Sequence, residues 1–195
     1  MNVGRIVGST SAQSINRKLV HGLIELERAR HHGDREQLDF EVLSIGDLPL
    51  YDYDLDREFP VPAAAFKAAI VRCDALIIAT PEYNRSIPGA LKNAIDWASR
   101  PYGDNAFAGK PVAIIGASTG AIGTAMAQQH LRNILAYLDA PTLAQPEAYI
   151  QFGPARFADD GTVIDESTRR FLTTWLDAFR AWVARCRPAA GSRSA

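Results

Sequence analysis

The run Ala75-Leu76-Ile77-Ile78-Ala79, continued by Thr80-Pro81-Glu82-Tyr83-Asn84-Arg85-Ser86-Ile87-Pro88-Gly89, decides the fold of this 195-residue chain. Five apolar residues in succession, with no polar alternation, read as a strand buried on both faces, which is what the centre of a parallel sheet requires. The next ten residues mix two rigid prolines, an aromatic ring and several hydrogen-bonding side chains. They read as a loop that ends where Pro88 can open a helix.

Upstream of this stretch, Asn2–Val7 reads as a strand, and residues 14–30 as a helix with Ile15, Leu19, Leu23 and Leu26 at helical spacing. Residues 40–45 supply a second strand. Residues 48–62, rich in Asp, Pro and Tyr, read as a long surface loop, and 63–72 as a helix. Downstream, residues 89–99 form a helix with Leu91, Ala94, Ile95 and Ala98 on one side and a Lys92 to Asp96 pair on another. Residues 110–116, around Pro111-Val112-Ala113-Ile114-Ile115, give a fourth strand. A helix over 122–138 carries Ala127, Leu131, Ile134, Leu135 and Leu138 on its core stripe, and a fifth strand falls within 142–150. The last helix, 167–185, carries Phe171, Trp175, Ala178, Phe179 and Trp182, a packing stripe rather than a ligand box. Five strands alternating with five helices predict an α/β fold in three layers, a parallel sheet covered on both faces by right-handed crossovers. Such sheets bind ligands at the carboxyl ends of their strands where the strand order reverses, so the loops after strands one, three and four are the places to look.

The composition fits one domain over 1–187, with 188–195, built of Pro, Ala, Gly, Ser and Arg, expected as a mobile tail. A formal net charge of −1 argues against nucleic acid or an anionic membrane as partner and for a small molecule. No apolar run approaches the roughly 20 residues that cross a bilayer. Residues 1–8 lack the features of a signal peptide, and Cys73 and Cys186 stand far apart without a Cys-x-x-Cys pair; both are expected as reduced thiols in a cytoplasmic protein. His21, His31, His32 and His130 are scattered, and Asp52, Asp54 and Asp56 lack the glycine and terminal glutamate of a calcium loop, so no metal site is expected.

The loop after strand one, Gly8-Ser9-Thr10-Ser11-Ala12-Gln13-Ser14-Ile15-Asn16, gathers hydroxyls and an amide at the start of a helix. A helix cap by Ser14 accounts for one of them. The group together points to an anion site, where free N–H groups, the helix dipole and short hydroxyl donors meet a phosphate. Neither Gly-x-x-x-x-Gly-Lys-Ser/Thr nor Gly-x-Gly-x-x-Gly is present, which favours a phosphomonoester over a pyrophosphate. In the loop after strand three, Tyr83 can cover an aromatic face and Asn84 can meet ring heteroatoms. Gly116, Gly120 and Gly123 read as loop glycines that let backbone approach a flat ligand.

On three signatures the chain resembles the NADPH-dependent FMN reductase family, nearest its quinone and chromate reductase branch. They are Gly8-Ser9 with Ser14-x-Asn16, the run from Pro81-Glu82-Tyr83-Asn84 to Pro88-Gly89-Ala90-Leu91-Lys92-Asn93-Ala94-Ile95-Asp96-Trp97, and Gly116-Ala117-Ser118-Thr119-Gly120. The resemblance implies a flavodoxin-like fold with strand order 2-1-3-4-5, noncovalent FMN, NADPH or NADH as donor, and a homodimer, often paired into a tetramer. It implies that Ser9, Ser11, Ser14, Ile15 and Asn16 hold the FMN phosphate, that Pro81, Glu82, Tyr83 and Asn84 lie along the flavin ring, and that Ser118, Thr119 and Gly120 close its other edge. Ser11 stands where the family often has a basic residue, and Arg85 where it often has an aromatic or small one. The expected activity is hydride transfer from nicotinamide through FMN to quinones, azo compounds, chromate or similar acceptors, with no catalytic acid, base or nucleophile from the chain. The rival readings are a flavodoxin-type electron carrier, a flavin reductase that releases FMN as substrate, and a flavin-free binding module. A homodimer is also expected because the helix from Gly89 is apolar around much of its circumference. The segment 51–56 is expected to help enclose the acceptor.

Overall fold

A computed structural model describes residues 1–30 and 36–187. His31, His32 and the expected tail at 188–195 lie outside the described residues. The strands are β1 (Asn2–Val7), β2 (Asp39–Val42), β3 (Ala75–Ala79), β4 (Val112–Ser118) and β5 (Ala148–Gln151); the helices are α1 (Ile15–Arg28), α2 (Val61–Arg72), α3 (Gly89–Ala98), α4 (Ala125–Tyr137) and α5 (Glu166–Cys186). All pairings are parallel and the order is β2-β1-β3-β4-β5, the flavodoxin-like three-layer arrangement that the resemblance implies.

β3 is buried at every residue because it lies mid-sheet under helices on both sides. Alternate side chains divide between two cores. Ala75, Ile77 and Ala79 join Leu19, Leu23, Trp175 and Phe179 beneath α1 and α5, while Leu76 and Ile78 join Phe66, Ile70, Leu91, Ile95 and Leu131 beneath α2, α3 and α4. The ladder continues one residue past the strands, with the Gly8 N–H donating to Ala79 O at 2.8 Å and the Thr80 N–H to Ile115 O at 3.0 Å. The loops leaving β1, β3 and β4 therefore emerge side by side.

Three local expectations change. Residues 48–62 are less open than their composition suggests: Tyr53–Arg57 forms a 3₁₀ turn, and α2 begins at Val61 because Pro62 is tolerated in the first helical turn. Thr142 makes only an isolated bridge to Val112, leaving β5 at the far end of its window. The third concerns α3, whose surplus apolar side is covered from within the chain. Trp97 is fully buried, donates Nε1–H to Pro49 O at 2.8 Å, and meets the Tyr51 and Phe59 rings at 5.0 and 5.3 Å. Asn93 fastens the same segment, accepting from the Tyr51 N–H at 2.7 Å and donating to Pro49 O at 2.8 Å. The apolar circumference of α3 thus gives no argument for a second subunit.

Behind the sheet, the fully buried Glu27 carboxylate pairs with Arg180 of α5, and Arg30 bonds Asp177 at 2.7 Å. These contacts lock α1, which carries the first loop, against α5.

Candidate functional site

Ser14 caps α1, its hydroxyl accepting from the Arg17 N–H at 3.3 Å. Ser9 accepts from the Ser11 N–H at 3.3 Å, and Ser11 from the Gln13 N–H at 3.2 Å. Each hydroxyl thus fixes the loop with one lone pair and keeps its O–H free to donate outward. First-turn amides such as those of Ile15 and Asn16 have no partner within the helix, and no acidic residue in that turn offsets the positive end of the dipole.

Asn16 has a role its sequence position does not reveal. Its side chain is buried, donates Nδ2–H to Ala117 O at 3.0 Å, and accepts from the Ala117 N–H at 2.8 Å. Both ends of the amide are committed to the end of β4, so the side chain ties the first loop to the third and leaves only its backbone N–H for an anion.

In the second loop, Tyr83 and Ser86 exchange backbone hydrogen bonds of 3.0 Å in both directions, with Asn84 and Arg85 at φ 52° and 65°. This is a tight two-residue turn of the kind that needs positive φ at both central positions. The turn holds Tyr83 half exposed at the cleft. Glu82 reaches across to α4 and accepts from the Met126 and Ala127 N–H groups at 3.0 and 3.2 Å. It caps a helix whose own Thr124 supplies no side-chain cap. His130 Nδ1 lies 3.0 Å from Ser86 Oγ, a second link from the loop to α4.

In the third loop Ser118 Oγ accepts from the Gly120 N–H at 3.2 Å. Gly116 and Gly123 serve packing rather than ligand approach: a Cβ on Gly116 would strike the Thr124 side chain and Thr80 O, and Gly123, at φ 62°, lies against the β5 backbone. Of the three, only Gly120 would accept a Cβ without a clash, at 3.6 Å from Ser118 Oγ.

The loops converge on one cleft of about 260 Å³, lined by Ser9, Ser11, Ser14, Ile15 and Asn16 from the first, Pro81, Glu82 and Tyr83 from the second, and Ser118 and Thr119 from the third. Asn84 and Gly120 are the expected site residues that do not line it. Gln13 and Ala117 line it unforeseen; Gln13 lay within the polar loop, whereas Ala117 carries no chemical signal of its own. The lining suits FMN. Hydroxyl donors and helix-start amides stand at one end, as a phosphate would require; the one acidic lining residue, Glu82, turns its carboxylate to the α4 amides and to Arg85; and an aromatic side chain stands at the other end. Segment 51–56 does not line this cleft; Tyr51 packs on Trp97 of α3 and donates its hydroxyl to Asp56 at 3.0 Å. No group of three or more His, Cys, Asp or Glu residues able to hold a metal occurs among the described residues. No helix among them is long and apolar enough to cross a membrane.

A parallel sheet in this order, with a hydroxyl-rich helix start beside an aromatic loop at the strand ends, defines a flavodoxin-like flavin-binding protein. The profile of the family described as NADPH-dependent FMN reductase matches residues 1–155, and the chain belongs to that family. It is 48% identical over 183 residues to 2-hydroxy-1,4-benzoquinone reductase from a Burkholderia species, covering 94% of this chain and 96% of that one. A quinone reductase of Pseudomonas putida is 44% identical over 183 residues, covering 93% and 94%. Among solved structures, the flavoenzyme NAD(P)H:(acceptor) oxidoreductase of Paracoccus denitrificans superposes with a TM-score of 0.86 at 45% identity, covering 94% and 97%. The chain is accordingly an FMN-dependent NAD(P)H oxidoreductase.

Proposed function

We propose that the cleft is the FMN cradle of an enzyme whose acceptors are quinones, and that residues 1–187 act as one FMN-binding domain. One observation carries the site assignment: unclaimed O–H donors and helix-start amides meet an aromatic loop at the switch point of the sheet. In this reading the hydroxyls of Ser9, Ser11 and Ser14, with the N–H groups of Ile15 and Asn16, bind the phosphate. Pro81, Glu82, Tyr83 and Asn84 line one side of the ring, and Ser118, Thr119 and Gly120 the other. Bound FMN supplies two-electron chemistry between nicotinamide and acceptor. The chain's own work is positional. Asn16 holds the phosphate loop to β4, Glu82 holds the ring loop to α4, and Tyr83 offers a flat apolar surface to a planar substrate. The names of the relatives support quinones as acceptors.

Two further parts of the proposal are a homodimer or tetramer, supported by the family resemblance, and a cytoplasmic location, supported by the free thiols of Cys73 and Cys186. Light scattering after size exclusion tests the first, and a monomer at micromolar concentration overturns it. For the activity, the absorbance of the purified protein is followed during anaerobic addition of NADPH and then of benzoquinone. The expected result is a flavin spectrum that bleaches and returns. A colourless protein that binds no added FMN overturns the cradle, whereas a flavin that NADPH leaves oxidised restores the electron-carrier reading.

A further inference from the structure

Beside the FMN cradle, between the end of β1 and the segment after β2, lies a separate cavity of about 410 Å³ that shares only Ser9 with it. Every charged residue lining this cavity is an arginine, Arg5 or Arg17, and Thr10 and Ser44 add hydroxyls. Arg5 is an unusual occupant of its position. It lies inside β1, paired to Val42 of β2 on one side and Ile77 of β3 on the other, on the face that packs toward α1. Its Nε is buried without a hydrogen-bond partner, and among the described residues neither Arg5 nor Arg17 has an ion pair. Burial, and then the nearby Arg28, push the pKa of Arg5 below the usual arginine range. A guanidinium keeps its charge in such a site, so an anion that enters the cavity offsets the desolvation of its buried Nε. The planar fork of N–H donors suits the oxygens of a phosphate, and neutral hydroxyls complete the coordination without adding charge.

We propose that this cavity is a second anion site, which takes a phosphate monoester through Arg5 and Arg17 with the hydroxyls of Thr10 and Ser44. Two sources offer that group: the 2′-phosphate of NADPH, which rests on the proposed function above, or a free phosphate monoester. The shared Ser9 wall places the cavity next to the phosphate end of the FMN cradle, on the other side of the loop.

The test titrates the FMN-loaded full chain with adenosine 2′-monophosphate and with adenosine, by calorimetry, in the parent, Arg5→Gln and Arg17→Gln. The nucleotide binds the parent and adenosine does not. Each substitution weakens nucleotide binding about tenfold or more, the scale of one lost charge-assisted hydrogen bond, with the FMN-to-protein ratio unchanged. Arg17 is exposed, so Arg17→Gln carries the test alone if Arg5→Gln fails to fold. Steady-state kinetics then separate the sources. A fall in the NADPH-to-NADH ratio of kcat/KM in step with nucleotide binding assigns the site to the donor, and an unchanged ratio with weakened nucleotide binding assigns it to a free ester. Equal nucleotide binding in parent and variants, or none in the parent, overturns the proposal. So does loss of FMN in step with the nucleotide, since the arginines would then serve the FMN phosphate. A parent that oxidises neither donor refutes the functional reading while the titration still reads the anion site.

Discussion

Replacing Asn16 by Ala separates two roles that the sequence alone would merge. The side chain makes two buried hydrogen bonds to the Ala117 backbone, at 3.0 and 2.8 Å, and spends both ends of its amide on them. Removing it strands a buried N–H and a buried C=O. Each such group left unsatisfied costs about 1–3 kcal/mol, and together the loss should be about 2–4 kcal/mol after some relaxation. Ser14→Ala removes one cap bond and should cost about 1 kcal/mol. The assay is urea unfolding of the FMN-free protein, followed by tryptophan fluorescence, which keeps cofactor binding out of the comparison. Asn16→Ala should be the less stable of the two even without FMN. Its FMN affinity should also fall, because the first and third loops are no longer tied. If FMN-free Asn16→Ala unfolds with the parent while its FMN affinity collapses, the amide contacts the phosphate directly and the role given to it here is wrong.

Trp97→Ala should cost about 3–5 kcal/mol in urea unfolding, because it opens the pocket filled by Tyr51, Phe59 and α3. A small effect would mean that segment 48–62 rests lightly on the domain. Glu27→Gln leaves Arg180 beside a neutral partner and should destabilise by about 3–5 kcal/mol, the usual result of breaking a buried ion pair; a variant as stable as the parent would show the pair to be solvated. Asp165 caps α5, and its bonds to Ser167 and Thr168 hold its pKa at about 2, below the ordinary aspartate value. A depressed carboxylate stabilises the fold above its unfolded pKa and loses that contribution as pH falls through the folded one. The unfolding-midpoint gap between parent and Asp165→Ala should therefore be full at pH 6 and narrow from about pH 4 toward pH 2; a gap independent of pH would show that the charge contributes nothing.

The layers and the strand sequence were legible because β3 is apolar at every position and each helix keeps an apolar stripe at helical spacing. The loops that meet at the cleft were legible for the same reason: polar, rigid and aromatic residues crowd directly after buried strands. What escaped the sequence is long-range. Nothing in the order of residues shows that Asn16 bonds a backbone 101 positions away, that Glu82 caps α4, or that Pro49, Tyr51 and Phe59 fold over Trp97. Glycine was ambiguous in the same way, since Gly116 and Gly123 answer to a crowded neighbour that only the folded chain brings near.

The reading of the first loop as a phosphate site is tested most directly by titrating the FMN-free protein with FMN and with riboflavin, which differ only in the phosphate. FMN should bind at least about a hundredfold more tightly, the ~3 kcal/mol that one or two charge-assisted hydrogen bonds supply. Equal affinity for the two would place the phosphate in solvent and remove the anion-binding role of Ser9, Ser11, Ser14, Ile15 and Asn16.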